Sequence, residues 1–520
     1  MYKLNSKCKM FLIVCVQYIV FFCVCYSSDW LQFQHDAQRT GRTTDSVAPR
    51  YRVRWLWMKT SVIRNHLSNP SWTGPDLNPV DQINAKAVIP SSVPFTLSEM
   101  MQPVIANGKV FIGDQDGYVY GISEDDGSTL WTAPNPGGSM TSGAYVNGTI
   151  VFGSLSGKIR GYNATSGTLS WEVSTKGPIT SAILSDGTYV YAGSHDRHVY
   201  CINPSNGAVR WISPDLGAQI AGGLCMDTDT VYVGAENMIF YALKAVDGTI
   251  KFSKKVSGQS FYLLWPVVFN NLVFIQAAPV PSIGSEYDME SLMDDPADTD
   301  YVTEEGMILR WLQGDTNGGK WPDASTDWKH FTVLRTSDFT EPFTVACGPY
   351  DGCGTPPDQV CVDNQGRILI YFKSKFNFLT KDNGFGSKHQ IDISAINLTN
   401  GRRIPIDNGR KADNDWYTWE TDNLYGMSVA GNYLFLKQFF RGTVVIDLTT
   451  SLATKVEWRY QDCGGYHNAN ILYTCGNDDS NVIPATTMSH FSGRPGVAVS
   501  GNYIYVGQEW CLTCAEHAPN

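Results

Sequence analysis

Short runs of alternating apolar and polar residues follow one another along most of the chain, and they recur in a fixed order. Between Gly108 and Trp131 the runs "KVFIG" and "YVYGI" are followed by an acidic turn carrying Gly127 and then by Trp131. A period of two places successive side chains on opposite faces of a strand. The same order returns in Gly148–Trp171, Gly187–Trp211 and Thr230–Phe252. The strand-end glycines Gly113, Gly153, Gly193 and Gly234 lie 40, 40 and 41 residues apart. The turn glycines Gly127, Gly167, Gly207 and Gly248 and the aromatics Trp131, Trp171, Trp211 and Phe252 keep the same steps. An all-β unit of about 40 residues predicts the blade of a β-propeller.

Each unit reads as four strands, A to D. Strand A is the run before the unit, such as "QPVIA" from Gln102, and strand D carries the aromatic residue. "DDG", "TSG", "SNG" and "VDG" are C–D hairpin turns, where glycine supplies a positive φ. The tryptophans pack between blades, because one four-stranded sheet cannot bury both of its faces alone. Later units are weaker. Asn270–Gln276 and Met307–Gln313 read as strands B and C of a fifth. Gly366–Phe372 and Ile391–Gly401 belong to a sixth, and Gly431–Leu436, Gly442–Leu448 and Lys455–Trp458 to a seventh. Gly501–Gly507 begins an eighth that lacks a fourth strand, which Tyr51–Trp57 would supply from the N-terminus and so remove an exposed edge. The expectation is an all-β chain forming a single closed propeller of four-stranded blades, eight in number, with seven as the alternative.

Composition agrees: 520 residues with 48 glycines, 12% aromatics and only 17% charged residues suit many short strands and tight turns. The net charge of −11, with no basic stripe, argues against a nucleic-acid partner. Lys3, Lys7 and Lys9 precede the apolar run Met10–Tyr26, and Ser27 and Ser28 follow. This pattern reads as a secretory signal peptide over residues 1–27, with residues 28–520 as the mature propeller. The run is shorter than the ~20 residues of a spanning helix, and no later stretch reads as a transmembrane segment. A secreted, extracellular location follows as the expectation.

An oxidising compartment would pair the nine cysteines left after the leader. Cys463 with Cys475, Cys511 with Cys514 and Cys201 with Cys225 are the candidate bridges, and Cys347, Cys353 and Cys361 form a further cluster. Nine is odd, so one thiol stays free or pairs between chains. Sequons at Asn147, Asn163 and Asn397 make the chain a candidate glycoprotein.

Long insertions fall at 58–101, 279–306, 373–389, 407–425 and 461–494. All are B–C or D–A connections, which share one face of the disc, whereas the sequons fall in A–B and C–D turns on the other. Within the acidic loop Gly284–Gly306, Asp294, Asp295, Asp298 and Asp300 are spaced as oxygen ligands for calcium would be, although such a run is also what a solvated loop looks like. Trp416, Tyr417 and Trp419 could form an aromatic platform for a sugar or a partner, or could cap the core. No Ser/His/Asp arrangement, phosphate loop or zinc-spaced His/Cys set stands out, and His467 and His490 read as polar loop residues.

The stretch "DWLQFQHDAQRTGRT", Asp29–Thr43, followed by units ending "DG…W", resembles the secreted PQQ-like, quinoprotein-type repeat propellers. The resemblance implies the propeller fold. For function it implies two classes. Quinoprotein alcohol dehydrogenases bind pyrroloquinoline quinone (PQQ) and calcium, and non-enzymatic members such as the bacterial outer-membrane assembly lipoprotein bind partner proteins. This chain departs from the dehydrogenases. It has no adjacent Cys-Cys pair, its nearest approach being Cys511-Leu-Thr-Cys514, and it has no Cys-x-x-Cys-His haem motif. Their calcium-ligand and catalytic-aspartate motifs fall on no stretch of it. The reading is therefore a secreted, glycosylated propeller that binds an extracellular protein or carbohydrate through its loop-rich face. It needs no cofactor, with calcium as the one ion the acidic loop could take. A PQQ- and calcium-dependent dehydrogenase is the alternative, and a carbohydrate-active enzyme the second.

Overall fold

The computed structural model describes residues 9–15, 18–24, 29–48, 51–59, 61–64, 96–98, 100–278, 309, 329–345, 360–374, 390–406, 424–438, 442–449, 456–458, 495–507 and 511–517. Eight antiparallel sheets follow one another in chain order as the blades of a propeller. Blade 1 is Val104–Ala106, Lys109–Gly113, Tyr118–Ser123 and Thr129–Pro134. Blades 2, 3 and 4 repeat this order through Ile250–Lys255. In blades 1 to 4 strand A is innermost and strand D outermost, and neighbours pair in sequence order.

Blade 5 corrects one expected strand. The partner of Leu272–Gln276 is Phe331–Arg335, with Gln276 opposite Phe331, so strand C is not Met307–Gln313. Both runs alternate, but Phe331–Arg335 leads directly into the tight turn at Asp338 that the repeat requires, where Arg335 N–H donates to Thr340 O. Blades 6 and 7 carry the expected strands at Ile368–Ser374, Gln390–Ile396, Tyr433–Gln438, Gly442–Asp447 and Val456–Trp458. Blade 8 closes as anticipated. Tyr51–Met58 pairs antiparallel with Leu512–His517, and Ser61–Arg64, inside the stretch expected to be an insertion, adds a further strand outside it. Lys9–Cys15 and Tyr18–Val24 pair only with each other, apart from the blades.

The repeated aromatic residue sets the seam between blades. Trp131, Trp171 and Trp211 are buried, and each indole N–H donates to a carbonyl in the C–D turn of the next blade: Ala164 O at 3.1 Å, Pro204 O at 2.7 Å and Ala245 O at 2.9 Å. The turn glycine of that next blade lies flat against the ring. A Cβ on Gly207, whose φ is +74°, would sit 2.9 Å from Trp171. Within the blade, the residue paired with the aromatic on strand C is small: Gly121, Gly161, Cys201 and Ala242. Blade 8 reproduces this set from the other end of the chain. Trp55 pairs with Cys514, donates to Glu124 O at 3.1 Å and lies against Gly127 of blade 1. Trp55 is thus the repeat tryptophan of the closing blade.

That placement explains the cysteines. Cys201, Cys225, Cys361, Cys511 and Cys514 are all buried and none is held in a disulfide, which corrects the Cys201–Cys225 and Cys511–Cys514 pairings. Cys201 and Cys514 fill the small-residue position opposite a tryptophan, and Cys201 and Cys225 belong to different clusters between blades. Three residues along a strand, as from Cys511 to Cys514, separate two Cα atoms by roughly 10 Å, beyond the roughly 7 Å a bridge spans. Burial pushes the Cys201 thiol up to about 12, which leaves it an unreactive hydrophobe. Cys347, Cys353, Cys463 and Cys475 lie outside the described residues.

Replacing Trp171 by Ala should cost roughly 3–5 kcal/mol, the range for a large core aromatic. Gly207→Ala should destabilise the same seam by forcing both the φ and the ring contact. Denaturant unfolding measures both, and unchanged midpoints would remove the seam account. In differential alkylation without reductant, the five buried thiols should stay unmodified in the native chain and label after denaturation. A peptide bridging Cys201 to Cys225, or Cys511 to Cys514, would show the opposite.

Candidate functional site

The central channel is where the structure departs most from a bare ring. Residues 30–45 run around its inside in blade order and hydrogen-bond to each blade in turn. Trp30 O accepts from Ile105 N–H of blade 1 at 2.8 Å, and Leu31 O from Tyr145 N–H of blade 2 at 2.8 Å. The Gln32 amide makes two bonds with the Ser185 backbone of blade 3. Ala37 O, Gln38 O and Thr40 O accept from Met226, Val268 and Val362 of blades 4, 5 and 6. Arg42–Thr43 pairs parallel with Val429–Ala430 of blade 7, and the Asp45 carboxylate accepts from Gly501 N–H of blade 8 at 2.6 Å. The segment is a washer seated toward the A–B turns, where Ser46 lies against Gly431 and Asn364 reaches Thr43 O.

Arg39 locks the washer. Its guanidinium is fully buried and donates to Leu224 O at 2.9 Å, Ile183 O at 3.1 Å, Phe33 O at 2.5 Å and Gln32 Oε1 at 3.4 Å. Burial lowers its pKa to about 10, so it remains charged at neutral pH. Asp36 faces the same bend. Burial raises its pKa, but the His35 ring beside it and two hydrogen bonds from Thr40 outweigh that and hold it below the usual carboxylate value. Gln34, His35 and Arg39 take positive φ angles of 53°, 72° and 62°, which no side chain favours.

From the washer Phe33 projects toward the other end of the channel. There it packs in one apolar cluster with Met100, Ala182, Leu263, Trp265 and Val345, which come from D–A connections of different blades. Phe33 meets Trp265 edge-on at 4.7 Å. Gln102 sits beside this cluster and spends every polar atom: Oε1 accepts from Trp30 Nε1 and Gln34 N, and Nε2 donates to Gly496 O. The channel is thereby closed by the washer toward the A–B turns and narrowed by apolar side chains toward the B–C and D–A connections.

Polar groups girdle that second face. Lys59 bridges Asp114 and Asp116 at 2.9 and 2.8 Å. Arg160 reaches Glu172 at 2.8 Å and Asn135 at 2.8 Å. Thr180 Oγ1 lies 2.8 Å from His195 Nε2, and the Glu236 carboxylate accepts from Ser260 Oγ and Phe261 N–H. Thr180 Oγ1 also lies 3.1 Å from Ala221 O, so when its one hydrogen goes to that carbonyl the hydroxyl accepts from His195 Nε2–H. Burial lowers the His195 pKa against the opposing field of Glu236, and the ring stays neutral.

The sequence-expected sites divide. Asn147 and Asn163 are exposed and Asn397 half-buried, in an A–B turn and two C–D turns of the washer face. Asp294, Asp295, Asp298, Asp300, Trp416, Tyr417 and Trp419 lie outside the described residues. Sequence reading missed the washer, Gln102, Trp265 and Gln276, although the stretch Asp29–Thr43 had stood out as a motif. A quinone with calcium would need a carboxylate-rich donor set and a base at one place. Among the described residues no three His, Cys, Asp or Glu side chains gather as metal ligands. Among the described residues those nearest the axis are apolar side chains, the arginine Arg39 and the hydrogen-bonded amides of Gln32 and Gln102, which do not form a donor set for that pair.

The family described as outer membrane protein assembly factor BamB matches residues 84–252 and 195–289, the four regular blades and the start of the fifth. The repeats are accordingly of the PQQ-like type. Similar solved structures include BamB from Moraxella catarrhalis, 12% identical over 81% of this chain and 97% of that one, with a TM-score of 0.45. A europium-containing methanol dehydrogenase is 10% identical over 83% and 85%, with a TM-score of 0.49. Quinohemoprotein alcohol dehydrogenase ADHIIG from Pseudomonas putida HK5 is 11% identical over 95% and 82%, with a TM-score of 0.47. Comparison with curated protein sequences gives no match.

Arg39→Met should destabilise the whole ring, because it strands the buried carbonyls of Phe33, Ile183 and Leu224. At about 1–3 kcal/mol for each unsatisfied group, a loss of at least 3 kcal/mol is expected. Thermal unfolding measures it. A shift no larger than that of a surface Arg→Met control would show that the washer does not fasten the blades.

Proposed function

We propose that this chain, a β-propeller of PQQ-like repeats, is an exported binding protein that meets an extracellular protein or carbohydrate on its B–C/D–A face. The observation that carries the reading is the inequality of the two faces. Connections on the washer face are tight: the A–B turn of blade 1 lies between Ala106 and Lys109, and that of blade 2 between Val146 and Thr149. The chain between Gln276 and Phe331, between Ser374 and Gln390, and between Pro405 and Leu424 instead joins B to C or D to A. Long connections on a rigid ring are where binding usually resides.

The polar girdle of Lys59, Asp114, Asp116, His195 and Glu236 around an apolar centre supports the same reading, since it supplies donors and acceptors. Glycans at Asn147, Asn163 and Asn397 would cover the washer face and leave the girdle open. The basic, apolar N-terminal pattern supports export. Among the described residues no helix is long and apolar enough to cross a membrane.

Paired variants test this. Asn→Gln at all three sequons should leave binding to an extracellular protein or glycan array unchanged. Removing Gly284–Gly306, or replacing Trp416 and Trp419 by Ala, should lower it at least tenfold. Loss on the sequon side alone would reverse the assignment of faces. A quinone absorbance band after addition of PQQ and calcium, with dye-linked alcohol oxidation, would replace the binding reading by the dehydrogenase.

A further inference from the structure

Two buried donors in blade 5 have no acceptor. Trp265 and Gln276 are each 3% exposed, yet the Trp265 indole Nε1 and the Gln276 amide Nε2 have no hydrogen-bond partner. Among the tryptophans whose side chains are described, this indole is the exception. Trp30, Trp55, Trp57, Trp131, Trp171 and Trp211 all donate to oxygen. A buried donor left unmade loses its hydration for nothing, so such a pair signals something that completes it.

The two donors lie on the same side of one sheet. Gln276 follows Phe274 at period two on strand Leu272–Gln276, and Phe274 shares an apolar cluster with Trp265 and Val267. That cluster continues into Val360, Val362, Ile368 and Ile370 of blade 6. Trp265 precedes strand A and Gln276 ends strand B, so both stand at the end of the blade 5–6 seam that faces the B–C and D–A connections. Phe33, Met100 and Val345 complete the apolar surroundings.

We propose that this end of the seam binds a small uncharged molecule that presents one carbonyl oxygen from an otherwise apolar body. Trp265 Nε1–H and Gln276 Nε2–H hold the oxygen. A carbonyl oxygen has two lone pairs and can accept from both. A carboxylate does not suit the place, because a charge buried against two neutral donors goes uncompensated. Arg39, which lies over the Phe33 ring, already spends its guanidinium on Leu224, Ile183, Phe33 and Gln32, and Lys329 is paired with Glu341. The inference rests on these two side chains and not on the long connections, so it stands or falls apart from the partner-binding reading.

Indole-15N-labelled full-length chain provides the reporter, with Trp265→Phe identifying the Trp265 resonance. Acetophenone is the probe, and isopropylbenzene, of the same shape without the oxygen, is the control. Acetophenone should shift the Trp265 N–H resonance downfield and saturably, and isopropylbenzene should not. Gln276→Leu keeps the indole and should weaken acetophenone about tenfold, which is about 1.4 kcal/mol. Four results would each overturn the proposal: no shift up to the solubility of the probe, an equal response to isopropylbenzene, unchanged affinity in Gln276→Leu, or a long-lived water that stays on the indole at saturation. The comparison of the two probes uses the wild-type chain, so it decides the question even if Gln276→Leu does not fold.

Discussion

Eight innermost strands, each with a free edge turned toward one axis, pose the central physical problem of this molecule. Backbone N–H and C=O groups buried there must find partners. The chain answers with the segment from Trp30 to Asp45, which visits the blades in order and gives each a hydrogen bond. Arg39 reaches blades 3 and 4 at once, and Gln102 ties the washer to blades 1 and 8. The positive φ angles of Gln34, His35 and Arg39, costing about 1–3 kcal/mol each, persist because so many contacts fix the bend around them.

The second constraint acts between neighbours. Blades 1, 2, 3 and 8 are each sealed to the next by one indole, whose ring needs a glycine in front of it and a small residue behind it, and whose N–H needs a turn carbonyl, while Phe252 takes the place of the indole in blade 4. Gly161, Trp171, Gly207 and Pro204 O form one such set, and Cys514, Trp55, Gly127 and Glu124 O form the set that closes the ring. Ring closure therefore uses the same device as the seams that follow blades 1, 2 and 3. Arg54 reinforces it by pairing with Glu516 at 3.2 Å and with Asp125 of blade 1.

These two constraints differ in how far they can be read from sequence. The seam selects residue types, so its glycines and tryptophans recur at a fixed spacing and the blade repeat was legible. Trp55 was legible only as part of a missing strand, because it stands far from the blade it completes. The washer works mainly through main-chain carbonyls, which leave no signature in side chains, and its motif showed that the segment mattered without showing where it lay. The cysteines were misread for a related reason. Their spacing was weighed as chemistry, whereas Cys201 and Cys514 are chosen for size. The strand C of blade 5 was misplaced because two alternating runs compete for one position, and only the turn at Asp338 separates them. Trp265 and Gln276 could not have been found, since a missing partner is a property of the packed structure alone.

The same constraints explain why the chain has lengthened on one face only. A C–D turn must present its carbonyl to the indole of the preceding blade and its glycine to the ring, as Ala164 and Gly167 do for Trp131. An A–B turn must stay low enough to clear or clasp the washer, as Gly431 does against Ser46 and Gly501 does against Asp45. An insertion in either would break a seam or lift the washer. Apart from Gln102, which holds the washer, the B–C and D–A connections carry neither duty. They meet one another through single backbone bonds such as His195 N–H to Pro178 O and Glu236 N–H to Gln219 O and through side chains such as that of Lys59. Growth there costs the ring little, because loop closure rises only slowly with length. The face left free by the packing is thus the face on which the sequence varies the length of its connections.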